Sequence, residues 1–217
     1  MKRAVITAAA VITLGLIGLE FGTSAAKDLS VEERFGPAAE LVAPASGTYE
    51  FDINHSAIGF KVLHMGLVYV PGYFNDFSGS VNYDEDDVTK SSVEFTAKTE
   101  SVDTRVEARN KHLRTADFFD VEKHPTMTFK STKVIAAQDV LMVTGDFTLR
   151  GTTKSITIPV KVAGFKVGRD GTVTMGAIAA TSIMRSEYGV NYGLNGAVSD
   201  KVDIELNIEA KMKKEEK

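Results

Sequence analysis

The stretch Lys111–Phe129, KHLRTADFFDVEKHPTMTF, gathers His112, His124, Asp117, Asp120 and Glu122. Imidazoles and carboxylates at this density could hold a metal ion or move protons. The spacing argues against a metal. The histidines, His55, His64, His112 and His124, make no i, i+2 pair on a strand and no i, i+4 pair on a helix. No metal site and no cofactor are expected. His55–Ser56 sets a hydroxyl beside an imidazole, but neighbouring strand residues point to opposite faces, and no G-x-S-x-G elbow is present. Asp84–Asp87, DEDD, lacks the glycine and final glutamate of a calcium loop and reads as a solvated turn. Glu187 and Asp200 stand apart, not as an acid–base pair. No catalytic residue is assigned.

The apolar residues say more. Phe74 and Phe77 flank Asn75–Asp76, Phe118 and Phe119 are adjacent, and Phe129, Phe147 and Leu149 follow. The elements that position them alternate with period two. Val93, Phe95 and Ala97, then Ile156, Ile158, Val160 and Val162, then Val202, Ile204, Leu206, Ile208 and Ala210 are interleaved with polar residues. Each is a strand with one dry and one wet face. Further strands are expected over 48–53, 57–64, 72–83, 126–134, 140–149 and 172–184. Turn signals at Tyr83–Asp87, Arg150–Lys154 and Gly168–Gly171 are short enough for antiparallel hairpins. Asp103–Arg114 breaks the alternation; Val102, Val106, Arg109 and Leu113 fall at helical spacing, with Asp103 expected as the cap. Eight or nine one-faced strands must close as a sandwich or a barrel, and eight enclose room for about one small ligand. Met175, Ala177, Ala179, Thr181 and Ile183 mix large and small on one face, which suits either tight packing or a slot.

The ends carry different signals. Lys2 and Arg3 precede an uncharged, mostly apolar run from Ala4 to Leu19, and Ser24 and Ala26 suit cleavage before Lys27. Residues 1–26 read as a secretory signal peptide, because the run falls short of the about 20 apolar residues a spanning helix needs. Residues 27–46 read as a linker, 47–211 as the domain and 212–217 as a charged tail. The chain has net charge −4, and losing Lys2, Arg3 and Glu20 moves it to −5. With no basic stripe, nucleic acid is not expected as a partner. Without cysteine, the domain must rely on its core rather than on disulfides.

Four segments in order, Tyr49–Asp87, Val102–Thr132, Val143–Val160 and Thr181–Val190, resemble YceI-like proteins, the periplasmic polyisoprenoid-binding, lipocalin-like family. The resemblance covers the whole domain. It implies an all-β fold, an eight-stranded antiparallel lipocalin-like barrel with one α-helix packed beside it. It also implies a deep apolar pore for an isoprenoid chain, such as a polyprenyl phosphate or a quinone tail, or for another long-chain amphiphile, and a homodimer. The family has no shared catalytic residues to carry over. Arg150, in a turn, and His124, before Pro125, depart from its usual pattern. Alternation and the family pattern together assign the lipid pore to Phe60, Phe77, Phe95, Leu113, Phe118, Met127, Phe129, Phe147 and Met175, with Lys130 outside and the histidines on the wet side.

Three readings compete. The first is a periplasmic carrier of an isoprenoid or similar lipid, not an enzyme and with no stable membrane span. The second is an enzyme acting on a lipid in the same cavity, for which no catalytic group is recognisable. The third is an outer-membrane barrel, against which stand the absence of tryptophan, the inserted helix and the charged C-terminus.

Overall fold

The computed structural model describes residues 42–213; the expected signal peptide, most of the linker and the last residues of the tail lie outside the described residues. The alternating segments form one antiparallel sheet. Its strands are β1 (Gly47–Phe51), β2 (Ala57–His64), β3 (Val68–Phe74), β4 (Phe77–Tyr83), β5 (Ser92–Lys98), β6 (Val102–Asp103), β7 (Thr126–Ala137), β8 (Val140–Leu149), β9 (Thr152–Val167), β10 (Val173–Met184) and β11 (Val198–Met212). The helix α1 is Glu107–Arg114.

Six of these strands are halves of three interrupted staves. β1 and β2 both pair with β11, β2 through residues such as Ile58↔Leu206 and β1 through Phe51↔Ala210. β3 and β4 continue one another against them, and β5 and β6 against those. With β7 to β11 this makes a closed eight-stranded barrel in up-and-down order. Closure leaves no long free sheet edge and turns every apolar strand face to one lumen.

Four expected boundaries shift. The single strand expected over 72–83 starts at Val68 and breaks at Asn75–Asp76, whose backbones turn aside to Ser101 and Lys98. The helix begins at Glu107 rather than near Asp103, because Arg105 takes a left-handed φ of 64°. Asp103 caps the turn before it, accepting from Arg105 N at 2.8 Å and from Asn110 Nδ2 at 2.9 Å. Residues 42–46, expected as linker, lie on the barrel: Val42 N donates to Phe165 O at 2.9 Å and Tyr49 Oη to Ala45 O at 2.6 Å. β11 runs one residue past the expected domain end, to Met212.

The β1–β2 interruption is locked by polar contacts. Asp52 N donates to Glu209 O at 2.8 Å, and the Asp52 carboxylate accepts from Lys211 Nζ at 2.6 Å and lies 2.8 Å from His55 Nδ1. Asp52, His55 and Glu209 converge as a metal site would require, yet the Lys211 ammonium already occupies the carboxylate. The Lys211 and His55 hydrogen bonds hold the Asp52 carboxyl well below the usual carboxylate range. A depressed folded-state pKa stabilises the fold above the unfolded value of about 4 and loses that contribution as pH falls below it. Asp52→Asn is therefore expected to reduce stability at neutral pH and to flatten the acid limb of the stability–pH curve. Urea midpoints measured across the acid range check this; parallel limbs for the two proteins would refute it.

Candidate ligand-binding lumen

Tyr49, Phe165, Met175 and Ala210, all at most 3 % exposed, pack together at one end of the lumen, with Tyr83 5.2 Å from Phe165 ring to ring. At the other end lie the β2–β3 turn, α1 and the segment 185–198. Between these ends are two cavities. A mouth chamber of about 360 Å³ lies under α1, and an inner chamber of about 90 Å³ lies toward the packed Tyr49–Phe165 cluster. The mouth chamber alone falls in the size range of small-molecule sites. The chambers share Ile58, Phe95, Ile158 and Leu206, which form a waist.

The walls follow from alternation and register. Phe95, Phe129 and Phe147 sit opposite one another across β5, β7 and β8, and the Phe95 and Phe129 rings stack at 5.8 Å. From β10, Met175, Ala177 and Ala179 face the inner chamber, and Thr181 and Ile183 the mouth chamber, so their alternation of sizes leaves space. Phe60 lies over its partner Gly72, where an added Cβ would stand 2.3 Å from the ring. Glycine at 72 thus allows Phe60 to lie down on the wall. Leu113, Phe118 and Phe119 close over the mouth chamber from α1 and the turn that follows it.

Of the nine residues assigned from sequence, Phe60, Leu113, Phe118, Met127 and Phe147 line the mouth chamber, Phe129 and Met175 the inner one, and Phe95 both. Phe77 is a correction. It is buried in the main core, in register with Ala97, and lines neither cavity. Lys130 is on the exposed face, as alternation requires. The alternating runs of β9 and β11 line the lumen too, through Ile158 and Leu206 among others; their period already marked them as inward.

The polar groups of the lumen cluster at the mouth, and sequence periodicity did not reveal them. Arg185, 4 % exposed, donates from Nε to Ser199 O at 2.8 Å, from Nη1 to Val190 O at 2.8 Å and from Nη2 to Val198 O at 2.9 Å. Burial pushes its guanidinium below the ordinary value, and nearby Asp200 opposes that. Arg109 donates to Thr104 Oγ1 and to Thr104 O, each at 2.7 Å. Asn110, also buried, holds Thr104 in place by accepting from its N and Oγ1 at 2.8 and 2.7 Å. Among the described residues neither arginine has a carboxylate within ion-pair distance. His112 is on the wet side, with its side chain exposed and bonded to Asp117 at 2.8 Å, and it also borders the mouth chamber, edge-on to Phe118 at 5.1 Å and Tyr192 at 4.8 Å. His64 also lines this chamber, at its exposed edge. Arg150 stays outside the lumen and ties the β8–β9 turn to Gly189 O and Ala116 O.

Comparison with known proteins agrees with this architecture. The chain is 38 % identical over 156 residues to a UPF0312 protein of Pseudomonas aeruginosa, covering 72 % of this chain and 81 % of the relative. It is 40 % identical over 179 residues to one from Vibrio cholerae, covering 81 % and 89 %. Among solved structures, Burkholderia cenocepacia BcnA superposes with a TM-score of 0.66 at 26 % identity over 73 % of this chain and 98 % of that one. A polyisoprenoid binding domain from Saccharophagus degradans shares the fold, with a TM-score of 0.59 at 14 % identity over 78 % and 100 %. The YceI-like domain model matches residues 49–210, from the first barrel stave to the last, and the chain belongs to that family.

Proposed function

We propose that the protein binds and carries a long-chain isoprenoid, with the tail in the lumen and an anionic head, such as a polyprenyl phosphate, at the mouth. The observation that carries this reading is the lumen itself: apolar walls run inward from a mouth that gathers Arg109 and Arg185, neither of which has a carboxylate within ion-pair distance among the described residues. Apolar walls need few polar contacts to hold a lipid, because each buried CH₂ contributes about 0.8 kcal/mol. Phe60, Leu113 and Leu206 are only partly buried although they face inward, and a chain in the lumen would cover them. The polyisoprenoid binding named for the Saccharophagus degradans neighbour supports the ligand class. The expected signal peptide at 1–26 supports a periplasmic location. The family to which the chain belongs and the polyisoprenoid binding named for its structural neighbour support a binder rather than a catalyst.

Protein purified without added ligand, extracted with organic solvent and analysed by mass spectrometry, is expected to release a long-chain amphiphile. Absence of one, together with no uptake of a polyprenyl probe, would sink the proposal. The head group has its own test. Arg109→Met is expected to weaken binding of a polyprenyl phosphate by about tenfold, the scale of a charge-assisted hydrogen bond, and to leave the matching polyprenol nearly unchanged. Equal losses for both ligands would place the head elsewhere.

A further inference from the structure

Exposed apolar side chains gather around the mouth. In the β2–β3 turn and the first residues of β3, Met65, Leu67, Val68 and Tyr69 stand in solvent, and Leu67 is 77 % exposed, more than any other large apolar side chain among the described residues. Tyr192 and Leu194, from the facing loop, are exposed beside them. The two pieces form one unit: Met65 N donates to Ala197 O at 3.0 Å, and His64 pairs with Val198. The turn is well formed, with Met65 and Gly66 both left-handed and Leu67 N bonded to His64 O at 2.9 Å. Polar residues would serve such a turn at least as well, so its apolar tip calls for an explanation.

The position supplies one. His64, Val70, Tyr192 and Ala197, next to these tips in the chain, line the mouth chamber. We propose that this rim inserts into the surface of a lipid bilayer and holds the mouth against it. Cargo then passes between bilayer and lumen without crossing water. The inference rests on the lumen being a lipid site. The residue types suit an interface: Tyr69 and Tyr192 pair an apolar ring with a polar tip, and Lys61 Nζ stands 5.7 Å over the Tyr69 ring. A protein partner on the same rim would seal the mouth, whereas a bilayer both covers the apolar tips and supplies the cargo.

The chain has no cysteine, so one introduced thiol reports one place. Leu67→Cys, and separately Ile178→Cys on the outer barrel wall, each carry a nitrobenzoxadiazole dye. With vesicles of phosphatidylethanolamine and phosphatidylglycerol, the dye at 67 is expected to shift to the blue and to be shielded from aqueous iodide, while the dye at 178 stays quenchable. In parallel, Leu67→Asp is expected to slow transfer of a fluorescent polyprenyl probe from those vesicles by about tenfold, the effect of losing one buried leucine. Its uptake of the same probe from a cyclodextrin complex should not change, since Leu67 does not line the lumen. Equal quenching at both positions overturns the proposal. So does a blue shift at 67 that needs no vesicles and follows protein concentration into a sedimenting dimer, which would make the rim an interface between copies. Failure of the unsubstituted chain to take the probe from cyclodextrin refutes the lumen reading; shielding at position 67 still supports docking in that case.

Discussion

Arg185→Met is expected to destabilise the protein by about 3 kcal/mol and to lower its melting temperature by roughly 10 °C. Arg185 is 4 % exposed, and its guanidinium is the donor for three carbonyl oxygens, those of Val190, Val198 and Ser199. Methionine fills similar space but leaves these carbonyls without that donor, and an orphaned buried acceptor costs about 1–3 kcal/mol. The three losses are not additive, because the 190–199 segment can shift toward water. That shift has a second consequence, since the segment supplies Val190, Tyr192, Ala197 and Val198 to the mouth chamber. Exchange of a bound lipid should therefore quicken in this variant even at temperatures where it stays folded. Arg185→Lys should recover little, because a single ammonium cannot match the planar fork that reaches three acceptors. Thermal melts of the three proteins give the answer, and a loss below about 1 kcal/mol for the methionine variant would mean that the carbonyls find other donors.

Leu206→Trp should separate long from short ligands. Leu206 lines both chambers at the waist, opposite Ile58 in register, and is only partly buried. The indole has empty lumen on either side of it, so the fold should tolerate the change. A chain that crosses the waist into the inner chamber then loses that part of its burial. One five-carbon unit contributes roughly 4 kcal/mol gross, and with ordering costs removed about 2 kcal/mol remains, or about thirtyfold in affinity. A ligand short enough to stay in the mouth chamber should bind the two proteins alike. Binding of geranyl and longer polyprenyl phosphates to both proteins tests this. Equal losses for every length would mean that the waist acts on the whole site rather than on passage.

Most of the barrel was legible in the chain. The alternation in Ile156–Val162 and Val202–Ala210 put those residues on one face, and the closed sheet keeps them there. The reading failed at particular residues. Phe77 has the right period for the lumen and shares its face with Val81 and Tyr83, yet it packs in the main core and lines neither cavity. Asp103 has the right type for a helix cap, but Arg105 turns left-handed and moves the helix start to Glu107. His112 keeps the exposed side chain expected of it, and only the meeting of α1 with Tyr192 brings its ring to the mouth as well.

By itself the sequence determined a one-faced set of antiparallel strands, one helix, a core that no disulfide supports and the family to which these belong. A period of two reports which face a residue takes, and the staves obey it except at bulges, where the inward set changes phase between Phe129 and Val134 in β7 and between Val162 and Phe165 in β9. The tertiary structure decided the rest: the division into two chambers, the waist at Leu206, the arginines at the mouth and the apolar rim around it. These depend on how far each stave slides along its neighbour when the sheet closes. The slips at Ser131/Lys133, Gly176/Ala177 and Val198/Val202 change that offset, and the first two also change the phase of the alternation in β7 and β9. Depth along the lumen is therefore a property of closure, and alternation carries no record of it.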